Sequence, residues 1–588
     1  MKKLAIVFIT LTISGVVAYY LLNQRSFSLF YEDSPAYHAV PLDVPLFIEI
    51  SSIRAIPVRN QIIAGMKNAG LRKSLFSTMT RLDSIISSHP EIPSALKNDR
   101  MTIALKHEGR DELTPLFIVP LTGNNRKKGW RMLVNSWYPD TQFTTNTRGY
   151  DHVSIHDIAD PSSRPVFAYA FDEGLFLASP KSALVEQAIR QLHSGSLSGN
   201  QTFIRVNRTA SSQTVAAIYV NHLHLPQFLA RWLSSEPRRT VNEFGETELI
   251  RYSREISNAS DYAGWTELDL SLNDRGFRLT GVSMAYDSLN QYLSVFGRQQ
   301  PQRLQADRLL PANTCMYVSY TISDPQAFFN DLERYLKGRN KFYAREEKFT
   351  RILSESRTNL KSVLQDILDK EIILAHMPTA GRGSEKSGVL VIPVKNRSSA
   401  EGQILQMLKI RAERRGQSLS DFEVTLDAAK QVYAYKFPYP SLPGIWLGFP
   451  FRSVKANFVG FYLNNLVFAS SGEELNRYLA MMQAGETLSR DMRYQRFMQD
   501  ADSKANISVY ADLSCLSGLS GELFSTSVAR DLERNKDYLS RFRQMNWQVV
   551  QIKGAYFNNL MVSYLAGDEP VPGVAGQVSR ELPLKGKP

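Results

Sequence analysis

The chain has 588 residues, of which 43% are hydrophobic and 11% aromatic, and its formal net charge at pH 7 is +12. This length argues against a single hydrophobic core, so we expect at least two folded units. The positive charge favours contact with anionic surfaces, such as lipid headgroups or acidic envelope polymers.

Two short basic clusters contribute to this charge, Arg126 to Lys128 and Arg411 to Arg415. Both are interrupted or flanked by Gly or Glu, and we interpret them as solvated helix ends and loops. Nucleic acid is therefore not an expected partner.

The N-terminus contains an uncharged apolar run, LAIVFITLTISGVVAYYLL, over residues 4–22. As a helix, this run can cross a hydrocarbon core of about 30 Å, so we expect the lipid bilayer to be a partner through these residues. Lys2 and Lys3 precede the run, which keeps the N-terminus in the cytoplasm and exports the remainder. The prediction is a single-pass inner-membrane protein whose bulk is periplasmic or extracytoplasmic, with an anchor at 1–23 and a juxtamembrane linker at 24–40.

A cleaved signal peptide is the alternative for this segment, because it also has a short basic start and an apolar centre. The exit of the run, VVAYYLLNQRSF, lacks the small residues typical of a cleavage site. This favours a retained anchor and leaves cleavage open.

Two similar stretches lie in the body of the chain: FAYAFDEGLFLAS at 167–179 and FVGFYLNNLVFAS at 458–470. They align at an offset of 291 (470 minus 179), which continues to pair Phe203 with Tyr494 and Tyr219 with Tyr510. We interpret this similarity as an internal duplication.

Each stretch is followed by a predicted helix. Ser179-Pro180 is typical of a capped helix start, and Ser470 with Glu473 is typical of a capping box. The next residues place one apolar stripe on each helix at spacings near four: Leu184, Ala188 and Leu192 in the first, and Leu475, Leu479 and Met482 in the second. A further helix is predicted from Pro325 to Lys337, with Asp324 as its cap.

Strand-like patterns open and close each copy. PLDVPLFIEIS resembles PANTCMYVSYT, and two later runs pair Trp265 with Trp547. The predicted fold class is α+β: two tandem homologous modules at 41–290 and 309–567, with largely antiparallel sheets and flanking helices, preceded by one transmembrane helix. Residues 291–308 are predicted to be a linker, and 568–588 a disordered tail. The sequence leaves open whether the two sheets join.

Cys315 and Cys515 are the only cysteines. Because a disulfide framework needs more cysteines, we expect two buried thiols.

Two histidine clusters are candidates for a metal site. Asp151, His152, His156 and Asp157 lie in DHVSIHDIAD, where Val153 and Ile155 alternate with polar residues as in a strand. Strand geometry separates the two histidines by about 13 Å, too far for one ion, so we expect surface or packed histidines. His222 and His224 align with Leu513 and Cys515, so a metal site there could belong to one copy only.

Candidate catalytic motifs are incomplete. GRGSEKSG at 381–388 lacks the ending of a phosphate-binding loop, and its position between two strand-like runs predicts a hairpin turn. HSGSLSG has Leu197 where a nucleophilic serine would stand. We therefore predict no catalytic, cofactor-binding or metal residues, and no cofactor.

This layout, with openings such as VPLFIEIS, resembles uncharacterised bacterial membrane-anchored envelope proteins classed as domains of unknown function. The resemblance implies a location and no activity. Our leading hypothesis is a non-catalytic, membrane-anchored extracytoplasmic binding or scaffold protein, whose partner is another envelope protein or an anionic polymer. The alternatives are an envelope hydrolase or transferase with its site in one module, and a carrier of an apolar ligand between the modules.

Overall fold

The structure is a computed structural model. It describes residues 34–52, 60–62, 84–90, 92, 96, 98–108, 112–121, 126–195, 197–210, 214, 216–241, 247–257, 259–378, 388–427, 432–516 and 524–565. The predicted membrane segment at 4–22 and the predicted tail at 568–588 lie outside these ranges. Within them, every helix is too short or too polar to cross a bilayer.

The described chain contains 24 strands. Those of its N-terminal half are β1 Leu46–Ile50, β2 Met101–Glu108, β3 Glu112–Pro120, β4 Thr144–Tyr150, β5 Val153–Ala159, β6 Pro165–Asp172, β7 Leu175–Ser179, β8 Ala216–Asn221, β9 Arg238–Val241, β10 Thr247–Ile250, β11 Trp265–Asn273 and β12 Gly276–Met284. Those that follow are β13 Gln302–Arg303, β14 Met316–Thr321, β15 Glu371–His376, β16 Val389–Pro393, β17 Glu423–Asp427, β18 Val432–Lys436, β19 Phe458–Tyr462, β20 Asn465–Ala469, β21 Lys504–Ala505, β22 Ile507–Asp512, β23 Phe542–Ile552 and β24 Ala555–Tyr564.

The α-helices of the described residues are mostly short. They are α1 Ala36–Ala39, α2 Arg126–Trp137, α3 Ser182–Ser194, α4 Gln201–Asn207, α5 Leu225–Ala230, α6 Tyr252–Ser257, α7 Ala306–Leu309, α8 Pro325–Gly338, α9 Phe342–Ser356, α10 Leu360–Ile367, α11 Arg397–Glu413, α12 Leu442–Leu447, α13 Gly472–Ala484, α14 Met492–Met498, α15 Leu513–Leu516, α16 Thr526–Arg534 and α17 Lys536–Leu539.

Twenty of the described strands form one antiparallel sheet. They pair in the order β4, β5, β6, β7, β3, β2, β1, β8, β11, β12, β24, β23, β22, β14, β15, β16, β20, β19, β18 and β17. Strands β9 and β10 form a separate pair, as do β13 and β21.

The predicted fold class of two tandem modules is therefore wrong, although the α+β content and the antiparallel pairing are confirmed. Strand β12, near the end of the first predicted module, pairs with β24, near the end of the second, from Gly276 opposite Ser563 to Ser283 opposite Tyr556. A Cβ atom on Gly276 would lie 2.0 Å from the Val562 carbonyl oxygen, so this junction requires glycine. We call the β12–β24 pairing the seam.

The hydrophobic core also crosses the boundary between the predicted modules. Its largest cluster joins Ala263 and Phe296 with Tyr320 and Phe451. Within the predicted linker at 291–308, Phe296 is fully buried and β13 pairs with β21. Both observations make the two halves parts of one packed body.

The predicted helices are present, but two of their caps differ. The stripes on α3 and α13 are buried at Leu184, Ala188, Leu475, Leu479 and Met482, as predicted. Helix α13 is capped by Ser471, whose side chain accepts from the Glu474 amide, and not by the predicted Ser470. Helix α3 begins at Ser182, and no side chain caps it, so the predicted role of Ser179 is also wrong. The Asp324 cap of α8 is confirmed: its Oδ1 accepts from the Ala327 amide at 3.0 Å.

Cys315 and Cys515 form a disulfide between residues 200 positions apart, with their Cα atoms 5.7 Å from each other. This separation lies within the usual range for a disulfide. The prediction of two buried thiols is therefore wrong. The disulfide ties the residue before β14 to helix α15.

Candidate functional site

A cavity of about 1210 Å³ opens on one face of the central strands. Its floor consists of side chains two positions apart on successive strands, which places each pair on the same face of the sheet. These pairs are Val220 and His222 at β8, Thr266 and Leu268 on β11, Val318 and Tyr320 on β14, Ile507 and Val509 on β22, Met545 and Trp547 on β23, and Asn558 and Leu560 on β24, with Ser283 on β12. The cavity thus spans the seam.

Five helices and their flanking turns form the walls. They contribute mostly apolar side chains: Leu225, Pro226 and Leu229 from α5, Ile256 from α6, Leu332 and Leu336 from α8, Ala344 from α9, and Ile445, Trp446 and Leu447 from α12. Because apolar residues line both floor and walls, the interior suits an apolar ligand.

A chain of hydrogen bonds crosses the floor through five residues. His222 Nε2 lies 2.7 Å from Thr266 Oγ1, which lies 2.6 Å from Ser283 Oγ. Asn558 donates to Ser283 Oγ at 2.8 Å and accepts from Trp547 Nε1 at 3.2 Å. The network therefore connects β11, β12, β24 and β23 and satisfies polar groups that would otherwise be costly to bury.

Burial determines the ionisation of His222 at this floor. It lowers the pKa of His222 to about 4, so the imidazole is neutral near pH 7. The Tyr262 ring lies 5.3 Å from the His222 ring and 5.8 Å from the Trp547 ring. The buried Tyr262 hydroxyl has no hydrogen-bond partner within the described chain, so its donor is unused.

Tyrosines also form the boundary between floor and walls. The Tyr292 hydroxyl donates to the Tyr320 hydroxyl at 3.2 Å, and burial raises the pKa of Tyr292 to about 12. The Tyr335 hydroxyl donates to Asp261. Burial raises the pKa of Tyr335, and this hydrogen bond raises it further by a smaller amount. Asp261 also forms an ion pair with Arg339 at 3.2 Å. These phenols remain protonated and act as donors.

Basic residues outnumber acidic ones around the cavity. The lining contains five cations, Lys341, Arg345, Lys348, Arg452 and Lys455, and two carboxylates, Glu255 and Asp261. The lining is therefore complementary to an anionic group.

Arg345 has a structural role among these cations. Its Nε donates to the Ile445 carbonyl at 3.0 Å, and its Nη2 donates to the Trp446 carbonyl at 3.1 Å. These carbonyls belong to the last turn of α12, where backbone acceptors lack partners inside the helix. Burial lowers the pKa of Arg345, which Glu346 partly offsets. Arg345 thus fixes one wall of the cavity.

The rim contains an ion pair between the two halves of the chain. Arg452 Nη1 lies 3.0 Å from Glu255 Oε2, and these residues are 197 positions apart. Phe449, which also lines the cavity, is 62% exposed. The rim thus combines a large apolar side chain with charged groups.

The residues of the first histidine cluster lie elsewhere. Val153–Ala159 is the predicted strand, but His152 lies in the preceding turn with a φ of 65°, so it does not share a strand face with His156. His156 Nδ1 contacts Thr147 Oγ1 at 2.9 Å, and its ring stacks on Tyr169. Burial lowers the pKa of His156.

The acidic residues of that cluster bind other partners. Asp157 accepts from Arg148 Nε at 2.7 Å and from Ser182 Oγ at 2.6 Å. Asp151 contacts His193 Nδ1 at 2.7 Å, while Asp172 contacts the other ring nitrogen at 3.1 Å. The hydrogen bond that the His193 ring donates to Asp151, more than any other contact, raises the pKa of His193. Within the described ranges, no three His, Cys, Asp or Glu side chains are placed to hold a metal ion.

The two histidines of the second pair lie in different surroundings. His222 lines the cavity, whereas His224 precedes α5. Of the GRGSEKSG loop, residues 381–387 lie outside the described chain. Leu197 is buried in a short 3-10 helix.

Two further sequence interpretations need correction. Arg411, interpreted as solvated, is buried and pairs with Glu355. Trp265 packs against Phe47 and Phe203, whereas Trp547 lines the cavity. The two tryptophans that the sequence comparison aligned therefore lie on opposite faces of the sheet.

Sequence reasoning missed the cavity as a site. Met545 and Trp547 lie two positions apart in a strand-like stretch of the sequence, and this alternation predicts that their side chains share one face of a strand. The alternation alone does not distinguish a face that packs against a helix from a face that lines a cavity.

A family profile with the description "Protein of unknown function (DUF3352)" matches residues 97–545. No curated protein matches the chain, and no solved structure matches it.

Proposed function

We propose that this chain, which belongs to the DUF3352 family of proteins of unknown function, is a non-catalytic binding protein of the cell envelope whose ligand is an amphiphile. The ligand has an apolar chain and an anionic head. The observation that carries the proposal is the cavity of about 1210 Å³, whose lining is mostly apolar and whose charged residues are mostly basic. Pockets for small ligands usually measure about 300–1,000 Å³, so this cavity accommodates a larger apolar molecule.

The apolar part of the ligand lies against the floor near Trp547 and Leu268. Transfer of a hydrocarbon chain from water to this surface contributes about 0.8 kcal/mol per buried methylene group. The Tyr262 hydroxyl, which lacks a partner within the described chain, supplies a hydrogen-bond donor beside the apolar surface. An apolar chain with one polar group therefore fits the floor better than a pure hydrocarbon.

The head group lies among the cations of the lining. Lys341 and Lys455 form no ion pair within the described part of the chain, so an incoming anion need not displace a carboxylate from them. Arg345 already binds backbone carbonyls, and Arg452 binds Glu255. Lys341 and Lys455 are thus the residues that we assign to the head group.

The envelope location is part of the proposal. It is supported by the apolar run at 4–22 and by the disulfide, because structural disulfides are most frequent in oxidising compartments such as the periplasm. A retained anchor would keep the cavity near the bilayer that holds the ligand.

The polar floor favours binding over catalysis. His222, Thr266, Ser283 and Asn558 form hydrogen bonds with one another, so these polar groups of the floor already have partners there. Turnover of a lipid or polymer substrate by the purified chain would favour the envelope hydrolase or transferase instead.

The test uses the full chain in lipid nanodiscs and a photoactivatable palmitate, with cross-links mapped by mass spectrometry. We expect cross-links in the peptides that contain Trp547 and Leu268. Unlabelled palmitate should compete at least about tenfold better than hexadecanol, which has the same chain length and no charge, since about 1.4 kcal/mol corresponds to tenfold.

Two sets of variants check the assignment. V509W fills the cavity and should abolish cross-linking, whereas the double variant K341E/K455E should remove the preference for palmitate over hexadecanol. K370E makes one Lys-to-Glu change at an exposed residue outside the cavity lining and is the control for each of the single variants K341E and K455E. Cross-linking that V509W leaves unchanged would show that the ligand binds elsewhere.

A further inference from the structure

A second and smaller cavity, of about 290 Å³, lies on the other side of Tyr335 from the large cavity. Tyr335 lines both. The smaller cavity is formed by helix α8, by the segment after β12 and by the turn between β23 and β24. Residues from both halves of the chain therefore meet there. We call this cavity the α8 pocket.

The α8 pocket is lined mainly by polar residue types and carries a positive charge. Its lining contains four cations, Arg205, Arg298, Arg334 and Lys553, and two carboxylates, Asp287 and Asp331. The net charge of the lining is therefore +2. Such a concentration of positive charge in a concave site attracts anions.

One carboxylate organises two of these cations. Arg298 donates to Asp331 through Nε at 2.8 Å and Nη2 at 2.7 Å, and Arg334 Nη1 lies 3.0 Å from the same carboxylate. The Asp331 side chain is only 6% exposed. Arg334 Nη1 also lies 3.7 Å from Asp287 Oδ2, so the two carboxylates together balance the charges of Arg298 and Arg334 and hold both guanidinium groups in place.

The other two cations have no such partner. Neither Arg205 nor Lys553 forms an ion pair with a carboxylate in the described chain, and Arg205 lies over the Tyr286 ring at 5.5 Å. Lys553 and Gly554 form the two-residue turn of the β23–β24 hairpin, with φ angles of 50° and 83°. Such a turn is a rigid support for the lysine.

A hydrogen-bond donor completes the site. The Tyr286 hydroxyl is buried and has no partner among the described residues. A buried hydroxyl without a partner costs free energy, about 1–3 kcal/mol, which a bound acceptor would recover. Two uncompensated cations thus line one small cavity, together with the residue that carries this unused donor.

We propose that the α8 pocket binds a phosphoryl dianion, either inorganic phosphate or a phosphomonoester. A phosphomonoester carries a charge of about −1.5 to −2 at pH 7 and has three acceptor oxygens, which matches the charge of the lining. Arg205 and Lys553 neutralise the dianion, and Tyr286 donates to one of its oxygens. This site is independent of the amphiphile proposed for the large cavity.

The test is isothermal titration calorimetry on the full chain in dodecyl maltoside, which contains no phosphate. Inorganic phosphate and glycerol 3-phosphate are the ligands. We expect saturable binding of at least one of them. Binding of both indicates free phosphate as the source, and binding of the ester alone indicates a phosphorylated headgroup or metabolite.

Three variants distinguish a site from general attraction to a basic protein. K553Q should weaken binding at least about tenfold, and Y286F, which keeps the ring under Arg205, should weaken it several-fold. K370Q removes one positive charge outside the pocket and should bind as the unchanged chain does. Equal melting temperatures without ligand establish that K553Q and Y286F are folded. Absence of binding, or equal binding by K553Q and K370Q, would overturn the proposal.

Discussion

Asn558 on β24 donates a hydrogen bond to Ser283 on β12 over 2.8 Å, although the two residues are 275 positions apart in the chain. The bond crosses the seam at the floor of the large cavity. This hydrogen bond therefore forms only when the two halves of the chain are joined in one sheet.

We predict that N558A lowers the free energy of unfolding by about 1–3 kcal/mol, because Trp547 Nε1 would lose its acceptor and Ser283 Oγ would keep only Thr266 as a partner. Urea denaturation monitored by tryptophan fluorescence measures the change. N559A alters the adjacent residue of the same strand, whose side chain lies on the opposite face, and serves as the control. Equal losses in both variants would contradict the role given to the network.

Removal of the disulfide between Cys315 and Cys515 should strongly lower the stability of the chain. C315A/C515A should lower the free energy of unfolding by about 2–5 kcal/mol, since the linkage restricts a long loop in the unfolded chain. The measurement is denaturation of the chain with and without a reductant, and the double variant should be insensitive to the reductant. Thiol titration of the denatured, unreduced chain should find no free cysteine. Two reactive thiols per chain would refute the linkage.

The buried carboxyl group of Glu371 should make the free energy of unfolding depend on pH. Its Oε1 accepts from Ser319 Oγ at 2.5 Å and its Oε2 from the Gln305 amide at 2.9 Å, while burial raises the pKa of Glu371 to about 7. The folded chain then holds this proton more tightly than the unfolded chain, in which the value is 4.5. The free energy of unfolding should therefore fall as pH rises from about 4.5 through 7, by on the order of 3 kcal/mol.

E371Q should remove most of this dependence, because glutamine cannot ionise. Denaturation midpoints at several pH values across that interval measure it, and E423Q at an exposed position should retain the dependence of the unchanged chain. A profile for E371Q that overlies the original profile would exclude Glu371 as its cause.

Substitution of Arg345 should loosen the wall of the cavity locally, at helix α12. R345M should speed hydrogen exchange in residues 442–448, because the last carbonyls of α12 lose a charged donor, a loss worth about 1.5–3 kcal/mol. R345K should have an intermediate effect, since an ammonium group does not reproduce the two donors of the planar guanidinium. Hydrogen exchange with mass spectrometry measures the rates, and K370M is the control. Unchanged exchange at 442–448 in R345M would show that α12 holds its position without this residue.

Local patterns predicted much of the secondary structure. The repeated hairpins correspond to β6 with β7 and to β19 with β20, and the apolar stripes identified α3 and α13. These features depend on neighbours in sequence, so their signal is present in short windows. The cap at Ser471 was misplaced by one residue because Ser470 and Ser471 are both competent caps.

The seam, the disulfide and the large cavity depend on residues far apart in sequence. Gly276 indicates a place where a backbone approaches closely, yet nothing in a local window identifies Val562 as that backbone. Likewise, two cysteines 200 positions apart carry no local indication that they meet. The cavity floor combines seven strands, and only their order in the sheet brings His222 and Trp547 into one site.

The position of β24 in the middle of the sheet has a consequence for biosynthesis. A ribosome that has translated up to residue 554 has produced β12 and β23 but not the strand that lies between them. Two long strands then expose unpaired backbone groups, which are templates for aggregation until the last hairpin closes. Premature termination near the C-terminus should therefore be far more damaging than the small number of missing residues suggests.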